Sequence, residues 1–164
     1  MVHCLLYSYF KDLDQLCQDN DISYWADGGS LLGAVRDKGI IKHDDDIDIC
    51  MYQKDFDKLK NILKNNKTYH LYLLSTYPIY KFEHREIPNV FIDIFVVEDH
   101  DDNIQYKHEK NRQTWPSAYY LKSEVYPLQR VKFGDLQIYI PNHPTSYLER
   151  MYGDWETPVD YGRH

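Results

Sequence analysis

Residues 24–49 read YWADGGSLLGAVRDKGIIKHDDDIDI, and the changes of pattern along this stretch decide the fold. The short aromatic segment Ile22–Ala26 runs into Asp27-Gly28-Gly29-Ser30, which predicts a strand stopping at a glycine turn. Residues 30–36 (SLLGAVR) then predict a helix, with Ser30 suited to capping its start and Lys38-Gly39 ending it. From Asp46 the pattern switches to strict alternation, Asp46-Ile47-Asp48-Ile49, so residues 46–52 predict a strand.

On such a strand Asp44, Asp46 and Asp48 share one face. Two carboxylates about 4 Å apart repel by ~4 kcal/mol at an effective dielectric near 20, which a fold tolerates poorly unless a cation sits between them. Magnesium takes hard oxygen ligands, commonly one or two carboxylates plus substrate phosphates. A solvated acidic loop fits less well, because Ile47 and Ile49 are threaded through the acids. An EF-hand would need Gly at Ile49 and Glu at Asp55. A structural strand with paired charges remains a further alternative.

Outward from this centre, Tyr9, Phe10, Leu13, Leu16 and Cys17 predict an amphipathic helix over 8–20. Asp55 is placed to cap a helix carrying Phe56, Leu59, Ile62 and Leu63. Tyr69–Leu74, Ile79–Phe82 and Val90–Val97 read as strands, and 98–115 as loop or surface helix. Arg130–Phe133 and Leu136–Ile140 predict a hairpin around Gly134-Asp135, and 144–152 a last helix closed by Gly153. Helices and strands mix without strict alternation, which predicts one α+β (mixed α/β) domain over 1–164 around a central sheet.

Two more features carry chemistry. The glycine pair Gly28-Gly29 lets the backbone approach a phosphate, and a helix N-terminus behind it offers free N–H groups. No GK[ST] follows, so this is not a Walker A loop. Arg36 is placed to pair with a phosphate or to form a surface ion pair. Asp93 sits in the apolar run Val90–Val97, where a lone carboxylate is costly unless it is paired or metal-bound. Beside Asp46 and Asp48 it would complete a three-carboxylate site.

The chain has 164 residues, 19 basic and 26 acidic, for a net charge of −7. That balance argues against a protein that wraps nucleic acid by bulk charge. Sixteen tyrosines argue against global disorder. Cys4, Cys17 and Cys50 form no CxxC pair and read as reduced thiols. The N-terminal segment lacks a basic leader, and no apolar run reaches membrane-spanning length. These features predict cytoplasmic action, with recruitment needed for work at a membrane.

A glycine-serine turn, then D-x-D on a strand, then a third Asp on a later strand resembles the nucleotidyltransferase superfamily. Residues 24–49 resemble more closely the signature of the LicD/fukutin family. The segment Phe91–Phe95 (FIDIF) is similar to that family's third-carboxylate strand. The tail, from Val125-Tyr126-Pro127-Leu128 to Tyr152-Gly153-Asp154-Trp155, is similar as well. The resemblance implies a nucleotidyltransferase-type mixed sheet flanked by helices. It also implies transfer of a phospho-alcohol, such as phosphocholine or ribitol phosphate, from a CDP-linked donor to a glycan hydroxyl.

By that similarity Asp46, Asp48 and Asp93 are the catalytic acids. Together with Asp44 they would bind Mg2+ or Mn2+, while Gly28, Gly29, Ser30 and Arg36 would face the donor. The chain departs from the family at His43, where relatives often carry Trp, at Asp37, and at Val96-Val97-Glu98-Asp99 after the third acid. Two other classes stay open: nucleotidyl transfer from a free NTP, and a non-catalytic metal-binding module.

Overall fold

Alternating Ile and Asp can satisfy both faces of a strand only if one face meets the core and the other meets something polar. The computed structural model, which describes residues 1–159, builds that situation at the centre of one sheet. Strand β2 (Ile47–Tyr52) lies parallel to β5 (Ile87–His100) and antiparallel to β1 (Trp25–Ala26). Beyond β5 come β4 (Tyr80–His84) and β3 (Tyr69–Leu73), both antiparallel, giving the order β1-β2-β5-β4-β3. The fold is therefore α+β with a mixed sheet.

Ile47, Ile49, Ile92, Ile94 and Phe82 form the apolar face and are fully buried. Two helices cover it. The first, α1 (Val2–Asp19), buries Leu6, Tyr9, Phe10, Leu13 and Cys17 in one stripe, and Tyr9 meets Tyr69 edge-on at 5.6 Å. It starts six residues earlier than the expected helix at 8–20, because Leu6 extends the same stripe and no capping side chain stops it. The second cover, α3 (Gln53–Leu63), buries Phe56, Leu59 and Leu63, and Phe56 packs 4.2 Å from Tyr80. Its N-cap is Tyr52, not Asp55. Asp55 falls within the first turn and is buried there.

The expected helix over 30–36 starts earlier too. Helix α2 (Gly28–Leu32) has Asp27 at its N-cap, and the backbone widens to an i→i+5 turn over Gly33–Asp37 before Lys38 ends it in the left-handed region. Ser30 is thus inside the helix and buried.

The largest departure concerns residues 98–115. They hold the end of β5, strand β6 (Asn103–Tyr106) and helix α4 (Glu109–Thr114). Polar composition hid a strand whose inward positions are only Ile104 and Tyr106. At 14 residues, β5 is long enough to pair with β4 through Ile94 and with β6 from Val97 onward. Strand β7 (Tyr120–Leu121) extends that wing, and α5 (Lys122–Val125) follows. The expected hairpin forms as β8 (Gln129–Phe133) and β9 (Leu136–Ile140), and the last helix as α6 (Thr145–Tyr152).

Gly134 turns the hairpin at φ +63°, where a Cβ would come within 2.8 Å of the Tyr7 ring. Among the described residues no helix is long and apolar enough to cross a membrane.

Candidate active site

On the face of the sheet opposite α1 and α3, the register sets one row of side chains across three strands. Asp48 on β2 pairs with Asp93 on β5, and Asp93 pairs with Lys81 on β4. Asp46 stands immediately before β2, and its carboxylate reaches the same cluster. One carboxylate oxygen from each of Asp46, Asp48 and Asp93 falls within 4.8 Å of the others. Asp93 is buried, and Asp46 and Asp48 are half-buried. These are the three acids that the spacing and the resemblance single out. Asp44 is not in the cluster. It stands at the glycine turn, where its Oδ2 would be 2.8 Å from a Cβ on Gly29. Its carbonyl oxygen lies 2.6 Å from His3 Nε2.

The electrostatics are those of a site short of positive charge. Burial, then the charges of Asp93, Asp45 and Asp44, push the Asp46 carboxyl up to about 6, against a small opposing effect of Lys81. Burial pushes Asp48 well above the usual carboxylate range, reinforced by Asp46, Asp93 and Asp27. Asp93 is raised by burial although Lys81 Nζ lies 2.5 Å from its Oδ1. Asp48 Oδ1 is buried and has no hydrogen-bond partner. An orphaned carboxylate oxygen among three converging acids fits a hard divalent cation, for which carboxylate oxygens are the preferred ligands.

The glycine turn borders this cluster. Gly28 has φ +50°, a conformation that favours glycine, and a Cβ there would be in ordinary contact with Asp48 Oδ2 at 3.5 Å. Ser30 Oγ accepts the Asp48 backbone N–H at 2.8 Å. Its role in the structure is to tie α2 to β2, which leaves its own proton as the group it can offer. Arg36 forks onto its neighbour Asp37, with Nε and a terminal nitrogen 2.8 and 3.0 Å from the two oxygens. It lines a cavity of about 240 Å³ with Gly29, Leu32, Asp44, Tyr152 and Trp155.

Sequence reasoning assigned no role to the residue that organises the turn. Asp27 is buried, and its carboxylate accepts three phenol hydroxyls: Tyr106 at 2.5 Å, Tyr120 at 2.5 Å and Tyr147 at 2.9 Å. Tyr147 in turn accepts the Gly28 N–H at 3.1 Å, and Asp27 N–H donates to the Asp48 carbonyl at 3.0 Å. Strands β6 and β7 and helix α6 thereby converge on the turn beside the acids. Burial, then Asp27, pushes the three phenols well up, so they stay protonated donors. Lys81 was missed as well. Its one sequence signal is the polar alternation of Lys81 and Glu83 in β4.

The chain is similar to several known proteins. The family described as "LicD/FKTN/FKRP, nucleotidyltransferase domain" matches residues 21–143. An uncharacterized protein of Rickettsia prowazekii is 34% identical over 151 residues, covering 92% of this chain and 55% of that protein. One of Rickettsia typhi is 34% identical over 155 residues, covering 92% and 46%. The chain thus spans about half the length of these relatives. The lipopolysaccharide cholinephosphotransferase LicD of Haemophilus influenzae is 43% identical over 47 residues, 29% of this chain and 18% of that protein. The lincosamide antibiotic adenylyltransferase LnuA shares the fold, with a TM-score of 0.53 at 17% identity over 86% of this chain and 82% of its own.

Proposed function

The chain belongs to the LicD/FKTN/FKRP nucleotidyltransferase-domain family, and from that premise we propose that it is a metal-dependent phosphotransferase. In this reading it moves a phospho-alcohol from a CDP-linked donor to a glycan hydroxyl. The observation that carries the reading is the three-carboxylate cluster with its orphaned Asp48 oxygen, set against a glycine turn. The segment shared with a cholinephosphotransferase supports phosphocholine as one donor group.

Asp46, Asp48 and Asp93 would hold Mg2+ or Mn2+. The bound ion would stabilise charge on the phosphoryl oxygens and make the acceptor hydroxyl more acidic. The chain's own residues do the positioning. The turn at Gly28-Gly29 offers close backbone approach to the donor phosphates, and Asp27 with its three tyrosines holds that turn rigid. The acceptor oxygen attacks the phosphorus next to the alcohol, the bond to the CMP oxygen breaks, and the acceptor proton passes to a carboxylate of the site or to water.

Purified protein incubated with Mn2+, a glycan acceptor and CDP-choline, CDP-ribitol or CDP-glycerol should release CMP with one of the donors. Asp48→Asn should lower the rate at least about 100-fold with the fold retained. Pyrophosphate release from a free NTP, with no CMP from any CDP-alcohol, would replace this reading with nucleotidyl transfer. Full activity in Asp48→Asn would remove the metal assignment.

A further inference from the structure

Lys81 is an unusual neighbour for a metal site. Its side chain and that of Asp93 are each only 8% exposed, and the two are locked by strand register. The ammonium has Asp93 Oδ1 on one side at 2.5 Å and the Phe91 ring on the other, 4.0 Å from the centroid. Asp93 thus accepts Lys81 at Oδ1 while a carboxylate oxygen of the same residue lies within 4.8 Å of those of Asp46 and Asp48. Ionised around a bound cation, the three carboxylates carry −3, and Lys81 brings this to −2, the charge that one divalent ion neutralises.

Resting on the proposed metal-dependent transfer, we propose that Lys81 is a positioning residue that stands where a second cation would otherwise sit on Asp93. The substrate-free site then takes one divalent ion rather than two. Lys81 also holds the Asp93 carboxylate in place beside Asp46 and Asp48.

The test uses Mn2+ alone, titrated calorimetrically into the substrate-free full chain near pH 7.5. Wild type should bind one ion, and Asp48→Asn should weaken binding at least about tenfold. Lys81→Met should tighten it. A unit charge about 6 Å from a divalent ion in a high dielectric opposes binding by roughly tenfold, and that opposition is removed. Lys81→Arg, which keeps the charge, should stay within about threefold of wild type.

Thermal unfolding shows which variants are folded. Lys81→Gln carries the same expectation as Lys81→Met if the methionine variant does not fold. Two ions in the wild-type protein, or binding in Lys81→Met that is unchanged or weaker, would overturn the role of Lys81 while leaving the metal site intact. Binding insensitive to Asp48→Asn, or no binding at all, would overturn both this inference and the transferase reading beneath it.

Discussion

Removing the charge of Asp46 should stabilise the metal-free protein. In the fold its carboxyl titrates at about 6, against 3.8 for the ordinary side chain. The native state thus holds this proton more tightly than the unfolded chain does. The associated stability is fully present below pH ~4 and is lost as pH rises through about 6. A shift of about two units is worth up to ~3 kcal/mol, and ~2–3 kcal/mol is the reasonable range for a side chain that keeps some contact with water. At this chain length 1 kcal/mol moves Tm by about 2–4 °C, so the expected effect is roughly 4–12 °C.

Asp46→Asn keeps the shape of the side chain and cannot ionise. In EDTA at pH 8 the variant should melt roughly 4–12 °C above wild type, and at pH 4 the two should coincide. Saturating Mn2+ at pH 8 should raise the wild-type Tm and leave the variant nearly unmoved. Differential scanning calorimetry across pH 4–8, with EDTA or Mn2+, reads all of this directly. An Asp46→Asn protein that melts below wild type at pH 8 without metal would refute the reasoning, because Asp46 would then be stabilised by its surroundings rather than opposed by them.

Two other substitutions test the support of the turn. Tyr147→Phe removes one of the three hydroxyls on Asp27 and the acceptor of the Gly28 N–H, and urea unfolding should show a loss of about 1–3 kcal/mol. Gly134→Ala forces a side chain at φ +63° into the Tyr7 ring, and the hairpin contact with α1 should cost about 1–3 kcal/mol in the same assay.

Much of the site was legible in the chain. Ile47 and Ile49 alternate with Asp46 and Asp48, and a period of two assigns each residue to a face before any partner is known. Asp93 stood out because a lone acid in an apolar run needs a partner. The Gly-Gly turn was visible because glycine marks a backbone that other residues cannot follow. Asp44 shows the limit of the argument. Alternation placed it with the other acids, but the strand begins at Ile47, and ahead of it the chain bends to the glycine turn. Ser30 shows another limit: a good capping residue was displaced from the cap by Asp27 one turn earlier.

The sequence by itself determined the elements whose signal is local. These are the stripe of α1, the alternation of β2, the β8–β9 hairpin and the identity of the three acids. Only the tertiary structure decided that Asp48, Asp93 and Lys81 stand in one row. Register between strands depends on how whole faces pack, and no single strand encodes it. Only the tertiary structure, too, brought Tyr106, Tyr120 and Tyr147 to Asp27, across 79, 93 and 120 residues of chain. A phenol reads as core packing until the fold shows which buried carboxylate its hydroxyl must satisfy, because periodicity carries burial but not partnership.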